Sequence, residues 1–100
     1  MKLKAGFIFV APDADYTVHR AVIESPVVEL TAVGCKDYAM AVKAAKELVD
    51  AGVGAIELCG GFGIEGTAAI KKAVEGKAAI GVVRFENHPG LEFKSGDELF

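Results

Sequence analysis

The chain has 100 residues, of which 52% are hydrophobic and 25% charged, and a formal net charge of -3 at pH 7. That length fits one compact domain spanning 1–100 and leaves no room for a second. An acidic balance with only two arginines opposes a nucleic-acid footprint, which needs basic residues clustered on one face, and no apolar run approaches the roughly 18 residues of a membrane span.

The opening MKLKAGFIFVAP imitates a signal peptide, with two lysines before seven uncharged residues, but its Phe-Ile-Phe-Val centre has strand character and is read as a first strand over 4–11. With two cysteines and no secretory signal, a cytoplasmic protein with free thiols is expected. Between Pro12 and Pro26, Val18, Ala21 and Val22 fall at helical spacing behind an Asp15 cap, which predicts a short helix that Pro26 stops. A strand follows over 27–33. Tyr38, Ala41, Val42, Ala45, Leu48 and Val49 then share one helical face, so 37–51 is a helix with Asp37 as N-cap and Gly52 as its stop. A strand over 55–59 leads into a helix over 64–75, with Ile70, Ala73 and Val74 inward, Glu65 in the first turn and Gly76 after the end. The last strand covers 78–85, and 87–100 is an irregular C-terminal tail with turn chemistry at Pro89-Gly90 and Ser95-Gly96 and an apolar end, Leu99 and Phe100, that is expected to dock on the body or on a neighbouring subunit.

The predicted order is β-α-β-α-β-α-β. Helices between strands imply right-handed crossovers, hence an α/β fold with a four-stranded, mainly parallel sheet and three helices. Its carboxyl-edge loops, where open α/β folds bind ligands, are 11–15, 34–37, 60–64 and 85 onward. The apolar share exceeds the usual ~45–50%. Either the core is unusually apolar or surplus apolar surface is buried in a homo-oligomer; the oligomer is favoured because a parallel sheet needs both faces covered.

IELCGGFGIEG puts four glycines at a strand-to-helix corner. The backbone N-H groups of Gly60, Gly61, Phe62 and Gly63, with those of the following helix turn, form a candidate seat for an anion or phosphate-bearing metabolite. A structurally required tight turn, packed against another subunit, is the competing reading. The Walker ending is absent, and Gly61-x-Gly63-x-x-Gly66 follows the third strand rather than the first, so nucleotide signatures fit poorly.

Arg84, near the end of the next strand, is the expected charge partner for the ligand, and also for Glu57, which shares a strand face with Ala55 and Cys59. Glu57 and His88 are candidate proton-transfer groups and Cys59 a candidate thiolate beside a helix terminus; against these stand a structural ion pair or an exposed face at a sheet edge for Glu57, a solvated histidine and plain packing. Glu29 carries the same doubt as Glu57. Cys35 and Cys59 both fall at carboxyl ends of strands and are expected to approach if those strands are close. Two cysteines and two distant histidines without C-x-x-C do not make a zinc site, so neither metal nor cofactor is expected.

The stretches VELTAVG, IELCGGFG, GVVRF, HPG and SGDELF together resemble a family of short prokaryotic proteins of unknown function. The likeness spans nearly the whole chain and implies no activity, substrate or cofactor. Three readings follow: binding of a small anionic metabolite at the carboxyl edge, a small oligomeric lyase, isomerase or hydrolase, and an interaction module whose glycines let subunits pack closely.

Overall fold

A computed structural model describes residues 2–83, 85 and 87–100. Five strands form one mixed sheet: β1 (Leu3–Val10), β2 (Arg20–Glu24), β3 (Val28–Cys35), β4 (Ala55–Leu58) and β5 (Ala79–Val82), in the order β2-β3-β1-β4-β5. β1 pairs in parallel with β3 and β4, and β4 with β5, whereas β2 runs antiparallel along the β3 edge. The two α-helices are α1 (Tyr38–Asp50) and α2 (Ile64–Ala73).

The expected α/β class holds, but the four-stranded, mainly parallel sheet with three helices is corrected to a mixed five-stranded sheet with two. The difference lies between Pro12 and Pro26. Asp15 starts a turn, its carboxylate accepting from the Thr17 amide at 2.8 Å and the Thr17 hydroxyl at 2.7 Å, and the His19 amide closes on the Asp15 carbonyl. The turn is not continued. Arg20-Ala21-Val22-Ile23-Glu24 instead pairs with the free edge of β3, where β-branched residues suit an extended backbone. Pro26 sits inside a hairpin loop in which the Ser25 amide bonds the Val28 carbonyl and the Ser25 hydroxyl accepts from the Val28 amide. A proline there presets the turn rather than stopping a helix.

α1 is bounded as its sequence dictates. The Asp37 carboxylate accepts from the Met40 amide at 2.8 Å, which satisfies one of the unpaired first-turn donors. At the other end Gly52 takes φ +98°, its amide bonds the Val49 carbonyl, and the Val53 amide reaches back to Leu48. That is a Schellman closure, which needs a left-handed residue. Alternation along β1 and β3 sends Ile8, Val10, Val33 and Cys35 toward the helices, where they meet Ala41, Ala44, Ala45 and Leu48 of α1 and Ile70 of α2 in the core. Both helices pack in this core, while the alternate residues Ala5, Phe7 and Phe9 point to the opposite face of the sheet.

Candidate functional site

The glycine corner lies at the carboxyl end of β4 and opens α2, as its composition requires. The Phe62 amide bonds the Cys59 carbonyl to close the turn, and residues 60–63 are all buried. Phe62 stacks on Tyr38, the first residue of α1, with ring centroids 5.5 Å apart and planes 16° from parallel. The Tyr38 hydroxyl accepts from the Gly63 amide at 2.9 Å and donates to Asp97 Oδ1 at 3.0 Å. Asp97 in turn accepts from the Glu65 amide at 3.2 Å and the Gly66 amide at 3.3 Å. A carboxylate therefore sits at the positive end of α2, and it belongs to this chain's own tail.

Two glycines are explained by that tail. A side chain at Gly63 would enter the Asp97 carboxylate, and one at Gly96 would strike the Gly61 carbonyl. Ser95 caps a short 3-10 turn over Gly96–Glu98 with a reciprocal bond from its own amide to the Glu98 carboxylate, which fixes Asp97 beneath α2. The last residue, Phe100, tilts onto Tyr38 with centroids 6.3 Å apart.

Burial alone would raise the Asp97 pKa, but donors from the Glu65 amide, the Tyr38 hydroxyl and the Gly66 and Ile64 amides outweigh it and hold the carboxyl below its ordinary value. Tyr38 is pushed up to about 12, first by burial and further by the bond to Asp97 and its charge, with the Gly63 amide acting the other way. At neutral pH the pair is a neutral hydroxyl donating to a carboxylate.

Beyond the tail is a cavity of about 400 Å³ lined by Pro12, Leu91, Glu92, Lys94, Leu99 and Phe100. It stands at the carboxyl edge, between the loop after β1 and the segment after β5. Its wall is shaped by backbone that side chains rarely adopt: Glu92 and Phe93 are left-handed at φ 55° and 61°, as is Asp13 next to Pro12 at φ 63°. The strand-like bridge between His88 and Lys94, with the Leu91 and Phe93 amides on the His88 carbonyl, closes the loop that carries these residues.

None of the described residues predicted for the site lines this cavity, although His88 is bonded to Gly90, which does. Gly60 is covered by the Phe85 ring, which also packs on His88 at 4.6 Å between centroids. His88 Nδ1 accepts from the Gly90 amide at 2.9 Å. Cys59 Sγ accepts from the Gly61 amide at 3.3 Å.

Glu57 is exposed on the sheet face opposite the helices, across from Gly81 of β5. Among the described residues no hydrogen bond joins Glu57, Cys59 and His88. Arg84, and with it the expected pairing to Glu57, lies outside the described residues. Glu29 lies near Lys4 at 3.9 Å.

Cys35 and Cys59 are both free. β1 lies between β3 and β4, so the strands that lead to them are not neighbours and the condition for their approach is not met; Cys35 is in the core and Cys59 packs against it. Burial first, then the charges of Asp37 and Asp15, push the Cys35 thiol up to about 12, which makes it a packing residue rather than a nucleophile.

Sequence reasoning missed Tyr38, Asp97 and Lys94 as site residues, although it expected the apolar end at Leu99 and Phe100 to dock on the body or on a neighbouring subunit, and Phe100 does pack on the body. Only Ser95-Gly96-Asp97-Glu98 carried a readable signal, the Ser-x-x-Glu pattern of a capping box. Among the described residues no cluster of three or more His, Cys, Asp or Glu is placed to hold a metal ion, and no helix is long and apolar enough to cross a membrane. No curated protein and no solved structure matches the chain. The model of a family of unknown function (DUF6506) matches residues 3–98, and the chain belongs to that family.

Proposed function

We propose that this protein binds a small anionic metabolite, bearing a carboxylate or phosphate, in the cavity at the carboxyl edge of its sheet. The observation that carries this reading is the cavity itself: its volume of about 400 Å³ falls in the range that accepts a metabolite, and Lys94 is the cation in its lining. Leu91, Leu99 and Phe100 supply an apolar wall, and Glu92 an acceptor for a hydroxyl or amino group on the ligand. The position agrees with the rule that open α/β sheets take ligands beyond the carboxyl ends of their strands.

The Gly60, Gly61, Phe62 and Gly63 corner then has a supporting part. The Gly61, Phe62 and Gly63 amides and those of Glu65 and Gly66 are engaged with Cys59, Tyr38 and Asp97, so the ligand's charge is met by the Lys94 ammonium. A reducing, cytoplasmic setting belongs to the same reading and is supported by the two free thiols.

Thermal-shift titration with inorganic phosphate, sugar phosphates, nucleotides and small dicarboxylates tests the proposal. A true ligand at about 100 times its Kd adds ~2.7 kcal/mol to stability, a shift of several degrees. Lys94→Met removes one charged hydrogen bond, worth about 1.5–3 kcal/mol, and weakens that ligand tenfold or more. Failure of every compound to stabilise the protein, or equal stabilisation of the Lys94→Met variant, overturns it.

A further inference from the structure

We infer that the sheet face opposite the helices is the interface of a two-fold homodimer in which two sheets stack face to face. In a βαβ protein, helices normally cover both faces of the parallel strands. Here α1 and α2 pack in one core on one face, with Ile8, Val10, Val33 and Cys35 beneath them. The other face carries Ala5, Phe7 and Phe9 from β1, which align with Leu30, Ala32 and Gly34 of β3. Ile23 of β2 extends it past Leu30 and is 60% exposed. The ionisable side chain described on this face is Glu57, which β4 carries to one side of the central strand.

Size and composition select a second copy as the occupant. Five strands spaced by about 4.8 Å and four to eight residues long give a face of roughly 24 Å by 13–26 Å. Two facing copies therefore enclose on the order of 1,000 Å² before side-chain relief is counted, which reaches the lower bound of a specific interface. Among the described residues this face carries one charge, Glu57, and so little to select a partner of opposite sign, whereas a second copy brings the same apolar residues to meet it. A two-fold axis sets the Phe7 ridge of one copy over small residues such as Ala32 of the other, at the roughly 10 Å spacing of stacked sheets.

Neighbouring residues on β2 provide the test. Ile23 pairs with Leu30 and lies on the open face, while Val22 pairs with the buried Thr31 and lies on the helix side. Both are exposed, at 60% and 54%, so each accepts a charge without harm to the fold. Sedimentation equilibrium of the full chain should give a dimer of twice 10.4 kDa, 20.8 kDa. Ile23→Glu should raise its dissociation constant at least tenfold, Val22→Glu should leave it within twofold, and Phe7→Glu, where its circular dichroism matches the parent, should give a monomer. A parent chain that stays monomeric at 100 μM (roughly a hundredfold above a μM Kd), or a dimer that Val22→Glu weakens as much as Ile23→Glu, overturns the inference.

Discussion

The two helices begin in opposite ways. α1 is capped by the residue that precedes it: the Asp37 carboxylate meets the Met40 amide three positions on. α2 starts at Gly63, which has no side chain to offer, and receives its carboxylate from Asp97, 32 residues from Glu65 and 31 from Gly66. The electrostatics are alike, a negative group against unpaired N-H groups at the positive end of a helix. The consequences differ. A local cap stabilises its own helix; the remote one also holds the C-terminal tail to the body and, through Tyr38, ties the start of α1 to the start of α2.

The largest effect should come from forcing the tail off its seat. Gly96→Val drives a side chain into the Gly61 carbonyl, which cannot yield as a flexible side chain would. Overpacking alone costs about 1–3 kcal/mol, and displacement of Asp97 adds the loss of a cap, about 1–2 kcal/mol. Urea unfolding should show a drop of about 3 kcal/mol or more; a variant within about 0.5 kcal/mol of the parent, the scatter of neutral surface changes, would show that the tail adds nothing.

A subtler contrast compares Asp97→Ala with Asp37→Ala. Each removes a cap and should cost about 1–2 kcal/mol. Only Asp97→Ala should also speed protease cleavage within residues 87–100, since only that carboxylate anchors the tail. Equal cleavage in both variants would erase the distinction between local and remote caps.

What was legible in the sequence follows the same division. α1 was readable to within a residue because its apolar stripe, Asp37 and Gly52 are all local signals. β1, β3, β4, β5 and α2 were placed within a few residues for the same reason. β2 was not, since Val18, Ala21 and Val22 fit a helical stripe as well as Arg20–Glu24 fits a strand. The free edge of β3 decided between them, and it is invisible until strand order is known.

At the glycine corner the sequence suggested a bound anion, whereas the group found against the start of α2 is the chain's own Asp97 carboxylate, which could not be foreseen because nothing periodic links position 63 to position 97. The cavity was harder still. Lys94, Leu99 and Phe100 lie in a segment without repeating pattern, and they meet Pro12 only because the tail folds back over the carboxyl edge.

The smallest expected effect is the pH dependence of the remote cap, and its sign can be worked through. Asp97 is held below its ordinary pKa in the folded chain, because the Glu65, Gly66 and Ile64 amides and the Tyr38 hydroxyl together outweigh burial. A depressed folded value means that its contribution is complete above the unfolded value of about 4 and fades as pH falls through the folded one. Tyr38 behaves conversely. Pushed up to about 12, chiefly by burial, it contributes fully below the unfolded value of about 10 and less as pH climbs toward 12.

The stability difference between the parent and Asp97→Ala, followed by urea unfolding, should therefore be flat between about pH 5 and 9 and shrink below pH 4. Tyr38→Phe should lose the alkaline decline. Because Asp97 is partly open to water, which screens its charge, the acid arm should be a fraction of the Asp97→Ala cost. An unchanged difference at pH 3 would mean that the carboxylate charge does not hold the tail, and that packing of Gly96 and Phe100 does so alone.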